Sequence, residues 1–124
     1  MADKVVDASA LATVAFAEPG ADAVIDEIDG HRLHAPTLIV FELMNVAWKR
    51  AKKQPAATAL FLDALEVLEG LGLRFRGIDQ GEVVRLGLAT NLTAYDAAYL
   101  WLARALGMPL VTRDRKLAAH AKRL

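Results

Sequence analysis

The chain has 124 residues, of which 55% are hydrophobic and 24% charged, and its 15 basic residues balance its 15 acidic ones. This length and composition predict one globular domain over residues 1–124, and the zero net charge argues against a general polyanion binder. The sequence has no cysteine, which excludes disulfides and thiolate sites, and no signal-peptide pattern or run of ~18 apolar residues, so we expect a cytoplasmic protein without membrane contact.

Hydrophobic periodicity and turn residues predict strands that alternate with helices. Gly30 and Gly107 mark helix ends, Pro36 suits the first turn of a long helix, and Asp79 with Glu82 fits a capping box. In chain order the predicted elements are strand 4–6, helices 9–16 and 21–28, strand 32–35, helices 36–53 and 56–69, strand 73–78, helices 79–89 and 94–106, strand 110–112 and helix 114–123.

Strands separated by helices predict parallel pairing, and hence an α/β fold: a three-layer α/β/α sandwich around a small central parallel sheet. Sites in such sheets lie beyond the carboxyl ends of the strands. Asp7 and Asp114 follow the first and last predicted strands, Glu42 lies within the long helix, and Asp96 lies in the first turn of another. One edge of the sheet can therefore collect all four acids.

Each acid also has a purely structural interpretation. Asp7 or Ser9 can cap the first helix, Asp114 can cap the last one, and Asp96 lies three residues after Thr93 in a capping-box arrangement. Glu42 has no cap to form, because it is in mid-helix between apolar neighbours, but it could pair with an arginine. Asn45 shares a helix face with Glu42 and adds to a polar patch there. The joint pattern favours a shared site.

The sequence resembles the PIN-domain ribonucleases of the VapC toxin type over essentially its whole length. Four blocks carry the resemblance: VVDASAL at 5–11, APTL at 35–38 with Glu42 and Asn45, LTAYDAAYL at 92–100, and MPLVTRDRKL at 108–117. In that family, four acids coordinate magnesium or manganese at the carboxyl edge of a parallel sheet.

The resemblance implies that Asp7, Glu42, Asp96 and Asp114 are the catalytic, metal-binding acids. It further implies supporting roles for polar residues beside them, which are Ser9, Asn45 and Thr112. Oxygen ligands suit magnesium or manganese better than zinc, and closely spaced carboxylates without metal should have raised pKa values.

Basic residues next to Asp114 are candidates for RNA contacts. Arg113 and Arg115 flank this acid, so we expect them to bind RNA phosphates. The three histidines have no motif context, and we interpret His31, His34 and His120 as surface or boundary residues rather than catalytic ones.

The resemblance implies a Mg²⁺- or Mn²⁺-dependent endoribonuclease whose partners are an RNA substrate (tRNA or another structured RNA), a cognate antitoxin protein and a second copy in a homodimer. Apolar residues in the central helices, Trp48, Phe61, Leu62 and Leu65, could line an interface, although a core position is the simpler expectation for each.

Two other function classes stay open. A phosphatase of the haloacid-dehalogenase type would require a second aspartate two residues after Asp7, where this chain has Ser9. A catalytically silent module with the same fold could bind RNA or a protein, but it would be free to lose acids that are costly to keep.

Overall fold

A computed structural model describes residues 2–122 and places a parallel sheet among seven helices. The strands are β1 (Asp3–Val6), β2 (Arg32–Ala35), β3 (Arg74–Phe75) and β4 (Leu110–Val111). The helices are α1 (Ala8–Ala15), α2 (Ala21–Ile28), α3 (Leu38–Lys53), α4 (Thr58–Glu69), α5 (Gln80–Thr90), α6 (Ala94–Leu106) and α7 (Arg115–Ala121), and a 3₁₀ turn at Pro55–Ala57 precedes α4.

The sheet has the strand order β3-β2-β1-β4, and every pair is parallel. β1 is one of the two inner strands, and Val5 lies opposite His34 of β2 on one side and Leu110 of β4 on the other. Val5 and Val6 are fully buried, as expected for an inner strand covered on both faces. The α/β fold with a small parallel sheet is therefore confirmed.

The helices flank the sheet in two contacting groups. Helix α1 contacts α2, α3 and α4, α3 contacts α4, and α6 contacts both α5 and α7. The largest fully buried aliphatic side chains come from both groups and include Leu11, Ile39, Leu100 and Leu117. This packing places the N-terminal ends of α1, α6 and α7 near the sheet and positions the candidate site.

Most predicted elements are present with small differences in their bounds. The predictions for α2, β2 and α6 are confirmed residue for residue. Pro36 precedes α3 rather than starting it, and its carbonyl accepts a hydrogen bond from the N–H of Ile39 at 3.1 Å. β3 is shorter than predicted because only Arg74 and Phe75 pair with β2. Residues 123 and 124, at the end of the last predicted helix, lie outside the described residues.

A core position was the simpler expectation for four apolar residues of the central helices, and the structure confirms it for only some of them. Phe61 is buried and packs edge-on against Phe16, with 5.9 Å between ring centroids. Leu65 is partly buried against the core. Trp48 and Leu62 are 58% and 55% exposed, so the core interpretation is wrong for them. Among the helices of residues 2–122, none is both long and apolar enough to span a membrane.

Candidate active site

Asp7 is a buried carboxylate at the carboxyl end of β1. It is 4% exposed, and it is also the N-cap of α1. Oδ1 accepts hydrogen bonds from the backbone N–H of Ala10 at 2.9 Å and from the Ser9 hydroxyl at 2.8 Å, while Oδ2 accepts from the Thr112 hydroxyl. Asp7 can thus cap α1 and also belong to a polar site, because the cap uses only one of its two carboxylate oxygens.

Ser9 and Thr112 link Asp7 to the segment that follows β4. Their hydroxyl oxygens are 3.3 Å apart. The Thr112 oxygen also accepts the backbone N–H of Asp114 at 3.0 Å, and the Ser9 oxygen accepts that of Arg113 at 2.9 Å. The two hydroxyls therefore hold the segment around Asp114 against the end of β1. This contact is possible because β1 and β4 are adjacent parallel strands whose carboxyl ends lie at the same edge of the sheet.

Asp114 and Asp96 both lie at helix N-termini. Asp114 is the N-cap of α7, and its Oδ1 accepts the backbone N–H of Leu117 at 2.9 Å. Asp96 lies in the first turn of α6, whose N-cap is Thr93; the Thr93 hydroxyl oxygen accepts the Asp96 backbone N–H at 3.1 Å. The helix N-terminus stabilises negative charge at both positions. The capping interpretation is confirmed for Asp114 and for Thr93.

Glu42 reaches the site from the middle of α3 and is partly buried. The hydroxyl of Tyr99, on α6, donates a hydrogen bond to Glu42 Oε1 at 2.5 Å. Within residues 2–122 the acids in ion pairs are Asp3 and Glu18, so the alternative in which Glu42 pairs with an arginine is wrong. Asn45 is exposed one turn further along α3.

The four acids influence one another electrostatically. Burial raises the pKa of Asp7, Glu42 and Asp96, and repulsion between the carboxylates raises these pKa values further. The Asp96 charge acts on both Asp7 and Glu42, and the Asp114 charge acts on Asp96. Hydrogen bonds from Thr112, Ala10 and Ser9 lower the pKa of Asp7 and so oppose this rise. Asp96 is therefore coupled to each of the other three acids, and Asp7 also acts directly on Glu42.

The donor set fits a hard divalent cation, although the side chains as placed do not form a finished metal centre. Throughout the described part of the chain, no three His, Asp or Glu side chains are grouped closely enough to hold an ion. Every candidate ligand is a carboxylate oxygen, which suits Mg²⁺ or Mn²⁺. Buried carboxylates without a cationic side chain within ion-pair distance are costly, and a bound cation would remove that cost.

Arg113 and Arg115, the two basic residues beside Asp114, are exposed, and Arg113 packs against Gly20. A Cβ on Gly20 would lie 2.5 Å from the Arg113 guanidinium, so glycine permits this close approach. Gly20 also has a φ of +92°, which glycine adopts without strain. Arg115 begins α7 and is solvent-exposed.

Sequence reasoning missed two residues that act on the acids. Tyr99 lies three positions after Asp96 and thus on the same face of α6, which is the sequence signal that could have identified it. The amine of Lys116 donates to the carbonyl oxygen of Asn91 at 2.5 Å, and its charge lowers the pKa of Asp96 against the dominant effect of burial.

The interpretation of His34 as a surface or boundary residue is wrong. His34 is 3% exposed, and its Nε2 is 2.9 Å from Asp3 Oδ1. Its Nδ1 is 3.4 Å from an Arg76 guanidinium nitrogen. A β2 side chain is buried here because β1 and β3 lie on either side of it. His31 and His120 are partly exposed, in agreement with the prediction.

Comparisons with known proteins identify the family of the chain. The family model described as "PIN domain" matches residues 4–123. Ribonuclease VapC3 of Pyrobaculum aerophilum is 30% identical, with 92% of this chain and 91% of that protein covered. Exonuclease VapC9 of the same organism is 34% identical, with coverages of 94% and 84%, and Ribonuclease VapC9 of Mycobacterium tuberculosis is 34% identical, with coverages of 92% and 87%.

A solved structure shares the fold. The crystal structure of PAE2754 from Pyrobaculum aerophilum superposes with a TM-score of 0.80 at 31% sequence identity, covering 96% of this chain and 84% of that one. This likeness extends over the sheet and the helices that carry the acids.

Proposed function

The chain belongs to the PIN domain family, and from this premise we propose that it is a metal-dependent endoribonuclease, the toxin of a type II toxin–antitoxin pair. Relatives named ribonuclease or exonuclease, at 30–34% identity over most of the chain, support a nuclease that hydrolyses phosphodiester bonds. The observation that carries the proposal is the group of carboxylates beyond the end of β1, in which burial and mutual repulsion raise the pKa of Asp7, Glu42 and Asp96, and the Asp114 charge contributes to the rise at Asp96.

Asp7, Glu42, Asp96 and Asp114 are the proposed ligands of one or two Mg²⁺ or Mn²⁺ ions. A cation bound there would lower the pKa of a water molecule and offset the charge that builds on the phosphate during hydrolysis. The chain itself orients the ligands: Thr112 and its neighbouring hydroxyl fix Asp7, and the helix N-termini favour the charges of Asp96 and Asp114. No protein general base is required for this role.

Arg113 and Arg115 are the proposed contacts to RNA phosphates. Both are exposed, and both adjoin Asp114, so a phosphate bound to them would lie near the carboxylates. The overall zero net charge leaves no general attraction for nucleic acid. We therefore propose a structured RNA such as a tRNA as the substrate, because local contacts rather than a broad field must select it.

The proposed partners follow from the VapC type of the relatives. They are a cognate antitoxin, which would hold the toxin inactive, and a second copy of the chain in a homodimer. The exposed apolar side chains of α3 and α4, such as Phe41, Trp48 and Leu62, would be suitable material for such interfaces. The proposed location is the cytoplasm, where both RNA and the antitoxin would be encountered.

The direct test is cleavage of a structured RNA pool with Mn²⁺ or Mg²⁺ and with a chelator. We expect cleavage only with metal, and a loss of at least about a hundredfold in Asp7→Asn and Asp96→Asn, since each removes a charged ligand oxygen. The matched control is Asp63→Asn, which changes an exposed acid on α4. Activity that survives both site substitutions would contradict the assignment, and RNA binding without any cleavage would favour the catalytically silent module.

A further inference from the structure

Tyr99 is a buried side chain that joins two acid-bearing helices of the molecule. It is 1% exposed, and its hydroxyl donates to Glu42 Oε1 at 2.5 Å. Tyr99 itself lies on α6, three residues after Asp96. One phenol thus connects the helix of Asp96 to Glu42 on α3.

We propose that Tyr99 is a positioning residue for the cation site, one that fixes the Glu42 carboxylate by donating to Oε1 and thereby leaves Oε2 for a cation that would bind there. This inference rests on the proposed function, because it concerns how one of the proposed ligands is held. It assigns Tyr99 no contact with substrate or metal.

Glu42 needs such a partner because nothing else among the described residues orients it. It projects from mid-helix, where no backbone N–H is free to cap it, and other carboxylates repel it. A glutamate has three rotatable bonds, so an unheld side chain would turn toward solvent. A hydrogen bond to a charged acceptor is stronger than one between neutral groups, and Tyr99 is rigidly packed in the core.

The chemistry of the donor also matters. A hydroxyl orients a carboxylate without cancelling its charge, whereas a lysine or arginine would compete with a cation for it. Asp7 is held in the same way, by the hydroxyls of Ser9 and Thr112. Asp7 and Glu42 thus share one arrangement: neutral donors fix their geometry and leave their charge available. Partners of this kind typically change metal affinity by about 10- to 100-fold when they are removed.

The test is a Mn²⁺ titration of the folded protein, followed by the electron paramagnetic resonance signal of free Mn²⁺. We expect Tyr99→Phe, which removes only the hydroxyl, to weaken Mn²⁺ binding by about tenfold. The matched control is Tyr95→Phe, because Tyr95 is on the same helix but 63% exposed, and its affinity should equal that of the wild type. Unfolding curves without metal establish that each variant is folded.

A double-mutant cycle separates positioning of Glu42 from a general structural role. If Tyr99 acts through Glu42, the effect of Tyr99→Phe on Mn²⁺ affinity should vanish in a Glu42→Ala background. Wild-type affinity in Tyr99→Phe, or an equal loss in both backgrounds, would overturn the inference while leaving the metal site intact. A wild-type protein that binds no Mn²⁺ would instead overturn the proposed metal site and this inference with it.

Discussion

Replacing Thr112 by valine should destabilise the protein through two lost hydrogen bonds. The hydroxyl of Thr112 donates to buried Asp7 and accepts the backbone N–H of Asp114. A hydrogen bond to a charged group contributes about 1.5–3 kcal/mol, and an amide left without its acceptor costs about 1 kcal/mol more where water cannot reach it. Because Thr112 is partly exposed, we expect a total loss of about 2–3 kcal/mol.

This loss should be visible in both thermal and denaturant unfolding at neutral pH in the presence of a chelator. For a domain of this size the unfolding entropy corresponds to roughly 0.26 kcal/mol per degree, so Tm should fall by roughly 8–12 °C. Thr112→Ser keeps the hydroxyl and should recover most of the stability.

Thr90→Val is the matched control, because the Thr90 hydroxyl donates to a backbone carbonyl, that of Leu86, at 2.7 Å. No carboxylate depends on it, and a loss below about 1 kcal/mol is expected. A Thr112→Val protein as stable as the Thr90→Val protein would refute the reasoning that hydroxyl donors hold the buried acid.

Two further predictions concern stability. Burial and mutual repulsion raise the pKa of Asp7, Glu42 and Asp96 above ordinary values of 3.8 for aspartate and 4.5 for glutamate. The contribution of these acids to stability is therefore fully present below the ordinary pKa values and is lost as pH rises through the raised pKa values of the folded state. Over that pH window, the metal-free wild type should lose stability relative to Asp96→Asn. A stability difference between the two proteins that stays constant with pH would contradict this prediction. Leu100→Ala, at a fully buried position, should cost about 2–5 kcal/mol in denaturant unfolding, and a loss below 1 kcal/mol would exclude Leu100 from the core.

The sequence predicted elements best where local signals mark their ends. α6 starts at a threonine cap and ends at Gly107, which has a φ of +63°, and its predicted bounds are confirmed. The strand predicted at 73–78 was too long, because pairing depends on the neighbouring strand. β2 ends at Ala35, whose carbonyl accepts a last hydrogen bond from Arg76 at 3.0 Å, and β3 has no strand on its other side within residues 2–122.

The candidate site could be predicted only in part. The positions of Asp7 and Asp114 follow from strand order, because Asp7 comes directly after β1 and Asp114 comes three residues after the end of β4. The spacing from Asp96 places Tyr99 on the acid-bearing face of α6, but its hydrogen bond to Glu42 could not be predicted, since the two residues are 57 positions apart in the chain. The caps that the structure shows leave the proposed ligand role open, because a carboxylate has two oxygens and a cap engages one.

If the four acids bind a divalent cation together, Mn²⁺ should stabilise the folded protein, and thermal unfolding with Mn²⁺ measures this effect. At a Mn²⁺ concentration about 100 times Kd, a ligand that binds only the folded state adds about 2.7 kcal/mol, or roughly 10 °C in Tm for this chain. We predict that rise in the wild type and its loss in Asp96→Asn, the variant that removes the acid coupled to the other three. An unchanged wild-type Tm at millimolar Mn²⁺, or an equal rise in Asp96→Asn, would contradict the account.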